Sequence, residues 1–116
     1  MSPRAEAACG DRDLVLLHGW GVRADVWQDL AQRLSRRFRV HLINMPGYGE
    51  GAGEDSCTLE QVAAQLARRM PSRCLVCGWS LGGQLALAWA AAAPQQIAGL
   101  ALIATIGLLL GGTVAL

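Results

Sequence analysis

Ser80 stands in Gly78-Trp79-Ser80-Leu81-Gly82, a G-x-S-x-G pentapeptide that presents a serine hydroxyl as a nucleophile. An apolar run, Cys74-Leu75-Val76-Cys77, leads into it, and an alanine- and leucine-rich segment, Leu81 to Ala93, follows. Strand, turn and helix in that order force a turn so tight that glycine is wanted on both sides of the serine. The hydroxyl is then pushed out beside a helix N-terminus, where negative charge is stabilised. Two backbone N–H groups are candidates for an oxyanion hole that holds charge arising in the transition state. Leu81 qualifies by its place directly after the serine. Trp20 qualifies because Gly19 and Gly21 flank it and let the backbone approach a ligand.

A serine nucleophile needs a general base. The chain has two histidines, His18 and His41, and both precede Ser80. In the serine, acid, histidine order of such strand–turn–helix hydrolases both partners follow the nucleophile, and no Asp, Glu or His follows Ser80 here. His18 reads as a turn residue bonded to nearby backbone, and His41 as a strand-packing residue. A competing pattern, Gly19-Trp20-Gly21-Val22-Arg23-Ala24, satisfies G-x-G-x-x-A after a strand, as in a dinucleotide site. Its tryptophan would crowd a pyrophosphate. The acid that would hold a ribose is replaced by Asn44. Cys74-x-x-Cys77 has the spacing of a metal or redox pair. Residues three apart on a strand point to opposite faces, so inert thiols are expected and no metal or cofactor. Cys9 and Cys57 complete no disulfide framework.

The elements that would position these residues alternate. Asp13 to Leu17 reads as a buried strand ending at His18-Gly19-Trp20-Gly21, and Ala24 to Arg37 as a helix with Val26, Trp27, Leu30 and Leu34 on one face. Phe38 to Ile43 is a second strand, stopped by Pro46-Gly47-Tyr48-Gly49. Thr58-Leu59-Glu60-Gln61 is a capping-box pattern, opening a helix that turns Leu59, Val62, Leu66 and Met70 inward and ends before Pro71. Cys74 to Cys77 is a third strand, Leu81 to Ala93 a third helix and Leu100 to Ile103 a fourth strand. Apolar strands alternating with helices give an α/β class, a parallel sheet flanked by helices on its two faces. Active sites of such sheets lie beyond the carboxyl ends of the strands, where the loops 18–21, 44–49 and 78–82 meet.

Composition narrows the functions. The 116 residues suit one domain, with 53% hydrophobic and 16% charged residues and a net charge of +1. No strong electrostatic case for nucleic acid follows. All of the Lys and Arg are arginine, and Arg33, Arg36, Arg37 and Arg39 cluster at the end of the first helix, read as a solvated face favoured by the helix dipole or as a docking patch for an acidic protein. The opening residues, Met1 to Glu6, lack the apolar core of a signal peptide, and inert thiols in place of a disulfide framework lead us to expect a cytoplasmic location. The run from Ile97 to Leu116 has the length of a membrane span. Its glycines and threonines, and the lack of basic flanks, favour instead a buried strand followed by an irregular tail.

With these residues in hand the chain resembles the α/β-hydrolase superfamily. Within it, the chain resembles the methyl ester esterases that act on pimeloyl-[acyl-carrier protein] in biotin synthesis. The resemblance rests on Leu14 to Gly21, on Val26-Trp27, on His41 to Gly49 and on Gly78-Trp79-Ser80-Leu81-Gly82-Gly83. It implies Ser80 as the acylated nucleophile, Trp20 and Leu81 as oxyanion donors touching the substrate carbonyl, and His18 as a structural histidine. It also implies acyl carrier protein as the partner that presents the ester. The family commonly has an acid where Asn44 stands and a serine near Gly51. The implied architecture is a partial α/β-hydrolase fold, lacking the cap and the C-terminal strands. Residues 1–12 form an N-terminal extension, 13–105 the hydrolase part, and 106–116 an apolar tail that departs from the family. The functional expectations are a truncated and inactive carboxylesterase, a non-catalytic remnant that binds apolar acyl groups, or a hydrolase of another ester or thioester.

Overall fold

The computed structural model describes residues 4–5, 12–19, 22–44 and 58–104. Five strands, β1 (Arg4–Ala5), β2 (Arg12–Leu17), β3 (Phe38–Ile43), β4 (Cys74–Trp79) and β5 (Ile97–Ile103), form one sheet in the order β1-β3-β2-β4-β5. β2, β3, β4 and β5 run parallel, as expected from their continuous apolar sequences; the short β1 pairs antiparallel with β3. Three helices connect the parallel strands: α1 (Gln28–Leu34), α2 (Leu59–Arg69) and α3 (Leu81–Ala92).

The first crossover runs from β2 to β3 and the next two run the other way, from β3 to β4 and from β4 to β5. Right-handed crossovers in opposite directions place their helices on opposite faces. The cores agree. Val15, Leu17, Ile43 and Val76 pack with Val62, Leu66, Leu85 and Trp89 under α2 and α3. Leu14, Leu16, Val40 and Leu42 pack with Ala24, Trp27 and Ala31 on the other face. Cys74 belongs to the first layer and Cys77 packs against the second, so the two thiols point to opposite faces. Burial raises both thiol pKa values, that of Cys74 to about 11.

Three expectations need correction. The first helix begins as a 3₁₀ turn, Ala24–Trp27, before α1. Three residues per turn there change the phase of the faces, so Ala24, Trp27 and Ala31 are buried while Val26 and Leu30 are 49% and 41% exposed. β4 runs on through Gly78 to Trp79. β5 starts at Ile97 rather than Leu100, because a bulge lets Ala98 pass unpaired between Ile97, opposite Cys74, and Gly99, opposite Leu75.

The capping box forms as its sequence requires: Gln61 N–H donates to Thr58 Oγ1 (3.1 Å), and Thr58 N–H donates to Gln61 Oε1 (2.9 Å). A second polar device had no local signal. Buried Gln96 accepts from Trp89 Nε1 (2.8 Å) and donates from Nε2 to the Pro71 (2.8 Å), Ala67 (3.2 Å) and Met70 (3.3 Å) carbonyls. It thereby satisfies carbonyls that the end of α2 would leave without partners, and it ties α2 to α3 just before β5.

Candidate active site

The direction of the crossovers reverses between β2 and β4, and ligands of open α/β sheets bind beyond the carboxyl ends of strands at such a point. The segments ending these two strands are His18-Gly19 and Trp79-Ser80, and they touch. A Cβ placed on Gly19 would lie 3.2 Å from Trp79 Cε3 and 3.4 Å from Ser80 Cβ. Two motifs sixty residues apart in sequence therefore meet at one sheet position, as the spacing of strands and helices predicts.

Ser80 occupies the turn itself, with φ 55° and ψ −115°. A non-glycine residue held there is strained by about 1–3 kcal/mol and persists only where its surroundings over-determine it. The surroundings do so. Ser80 N–H donates to the Ile103 carbonyl (2.8 Å), and Ser80 C=O accepts from Gly83 N–H (2.9 Å) and Gln84 N–H (3.3 Å). A Cβ on Gly78 would come within 2.6 Å of Gly83 Cα, and one on Gly82 within 2.6 Å of the His18 carbonyl oxygen. The flanking glycines are there because backbone passes where a side chain would be.

Ser80 caps α3 from outside, so the N–H groups of Leu81 and Gly82 open the helix without an intrahelical acceptor. They stand one and two residues beyond the hydroxyl, at the positive end of the helix dipole. Among the described residues the Ser80 hydroxyl has no hydrogen-bond partner. The second expected oxyanion donor, Trp20, lies outside the described residues, as does most of the 44–49 loop.

The histidines take other places. His18 is fully buried, and its Nδ1 donates to Gly19 C=O at 2.8 Å. Burial is the main cause that lowers its pKa below 6.5; the Gly19 hydrogen bond and Asp25 oppose it. Above pH 6.5 the ring is neutral in folded and unfolded chains alike, whereas below it the unfolded chain takes a proton that the folded chain refuses. His18 therefore withdraws stability as pH falls through and below 6.5. In an NMR titration its ring should show a midpoint below 6.5; a midpoint at or above 6.5 contradicts the burial account. His41 lies four residues into β3, and its Nε2 meets Asp13 Oδ1 of β2 at 2.8 Å. Arg39 Nη1 stands 3.3 Å from the same oxygen. This cross-strand pair, which the sequence reading missed, involves the Asp13 carboxylate rather than Ser80.

Asn44 is also occupied. Its Oδ1 accepts from Ala24 N–H (2.8 Å), fastening the end of β3 to the start of the 3₁₀ turn. The residue standing where a dinucleotide site needs an acid is thus a structural cap. Among the described residues no group of three or more His, Cys, Asp or Glu could hold a metal ion, and no helix is long and apolar enough to cross a membrane.

Comparison with known proteins agrees with this geometry. The profile of the alpha/beta hydrolase fold matches residues 14–113. The chain is 49% identical over 96 residues to a protein of Sodalis glossinidius named pimeloyl-[acyl-carrier protein] methyl ester esterase, covering 83% of this chain and 37% of that one. A protein of the same name from Nitrosomonas europaea is 43% identical over 93 residues, covering 80% of this chain and 37% of its own length. The chain thus spans little more than a third of the curated relatives it matches. Among solved structures, a marine microorganism esterase superposes with a TM-score of 0.79 at 26% identity, over 87% of this chain and 40% of that one. A thermophilic esterase from Thermogutta terrifontis gives 0.78 at 27%, over 89% and 40%. With the serine turn at the switch point of a parallel sheet and a family match over most of its length, the chain belongs to the alpha/beta hydrolase fold family.

Proposed function

We propose that these residues supply the nucleophile and oxyanion donors of a serine carboxylesterase that hydrolyses the methyl ester of a pimeloyl group carried by acyl carrier protein, in the cytoplasm and without a cofactor. The observation that carries the reading is the strained Ser80 turn against Gly19, in a chain 49% identical to a relative of that name. Ser80 Oγ attacks the ester carbonyl, and the N–H groups of Leu81 and Trp20 hold the resulting oxyanion. Collapse expels methanol and leaves an acyl-serine, which water then hydrolyses. The Ser80 proton passes to a histidine base and on to the methoxide leaving group. That histidine and its acid come from outside these 116 residues. His18 is buried against its own turn, His41 is held by Asp13, and no Asp, Glu or His follows Ser80.

The esterases among the structural neighbours favour a second reading, in which the substrate is another ester or a thioester. Without a base, Ser80 loses its proton acceptor, and loss of a triad member lowers rates by orders of magnitude. The 116-residue chain should therefore hydrolyse a p-nitrophenyl ester no faster than its Ser80→Ala variant. A rate that depends on Ser80 would contradict this and reveal a base within the chain.

A further inference from the structure

Charge on the helices is sorted by end. Asp25, Asp29 and Glu60 sit in the first turns of the 3₁₀ turn, α1 and α2. Arg33, Arg68 and Arg69 sit in the last turns of α1 and α2. Helix dipoles account for that much. They do not account for Arg12, Arg39 and Arg73, which belong to strand starts: Arg12 opens β2, Arg39 is second in β3, and Arg73 directly precedes β4. A groove of about 470 Å³ opens here, lined by Arg12, Asp13, Arg73, Cys74, Leu75 and Ala98. Ser80 lies seven residues from Arg73, at the other end of β4, about 23 Å away at 3.3 Å per residue. The groove is therefore separate from the hydrolase site.

We infer that this groove binds a soluble ligand bearing a phosphate-type oxyanion between Arg12 and Arg73. Both arginines are exposed, and Arg12 has no ion-pair partner among the described residues. Arg73 donates from Nη1 to the Gln95 carbonyl (2.8 Å), which anchors its guanidinium beside the groove and leaves its other N–H groups for a ligand. Guanidinium forks match phosphate oxygens in pairs. The two negative candidates in the lining are already neutralised or occupied. Asp13 has its carboxylate turned to His41 and Arg39. Cys74 is buried and stays a protonated thiol. Leu75, Cys74 and Ala98 add an apolar floor that suits a ligand with a short carbon skeleton beside its anionic head.

The test is calorimetric titration of the 116-residue chain with inorganic pyrophosphate at low salt, beside Arg12→Gln, Arg73→Gln and their combination. Saturable binding is expected, weakened about tenfold by the double variant and partly by each single one. Arg23→Gln, at an exposed arginine away from the groove, should bind as the parent does. Circular dichroism establishes that each variant is folded, and the single variants serve if the double one is not. Three results would each overturn the proposal. They are no saturable binding by the parent chain, equal binding by the groove variants, or sedimentation with phosphatidylglycerol vesicles without pyrophosphate binding, which would make the phosphate a lipid surface.

Discussion

Gly82→Ala will unfold this chain at temperatures where the parent is folded. The added methyl would come within 2.6 Å of the His18 carbonyl oxygen and would also press on the backbone of Leu17. No rotamer relieves such a clash, because the obstacle is main chain at the end of the central strand β2. Moving it would displace Leu17 and His18, both fully buried. Overpacking in a yielding core costs about 1–3 kcal/mol; against fixed backbone we expect about 3 kcal/mol or more, a large share of the stability of a small domain. Ser80→Gly should do the reverse. It keeps the turn and relieves a side chain held at φ 55°, so a gain of about 1 kcal/mol is expected. Urea denaturation followed by circular dichroism measures both. An unchanged midpoint for Gly82→Ala would mean that the turn is looser than the packing of α3 on β2 requires.

The two variants separate what the elbow needs from what it tolerates. Glycine at 82 is a packing requirement, set by how closely α3 enters over β2. Under the proposed function, serine at 80 is a chemical requirement met at a conformational cost. A strained backbone at a residue whose hydroxyl has no structural partner among the described residues fits a functional position better than a structural one.

How much of this was legible follows from the range of each interaction. The Ser80 turn, the capping box at Thr58 and the bounds of β3 could be read, because each is written in a few consecutive residues. The convergence of Gly19 with Ser80 could be read one step further, from the alternation of strands and helices and the rule that sites lie at the carboxyl ends of strands. Val26 and Leu30 were misplaced because periodicity assumes a uniform helix, and the 3₁₀ turn at Ala24–Trp27 breaks that phase. Gln96, Asn44 and the Asp13–His41 pair gave no signal at all. Their partners lie 25–29, 20 and 28 residues away, apart from Trp89 for Gln96, and a polar side chain's burial is decided by those partners rather than by its neighbours in sequence. The two-residue β1 is too short to show any period. Trp20, the second expected oxyanion donor, lies outside the described residues, so among those described the proposed oxyanion hole has only Leu81, at the N-terminus of α3, to support it.

The central claim is that Ser80 is a competent nucleophile awaiting a base from elsewhere in a complete hydrolase. It is tested most directly in a chimera, in which the matched segment of this chain replaces its counterpart in the Sodalis glossinidius relative, 49% identical over 96 residues. That relative's remaining sequence then supplies whatever base and acid it carries. The measurement is methanol release from pimeloyl-[acyl-carrier protein] methyl ester by the chimera and by its Ser80→Ala variant. The account predicts turnover by the chimera and a loss of about 10⁴-fold or more in the variant. A folded chimera that is inactive, or one whose activity survives Ser80→Ala, would contradict it.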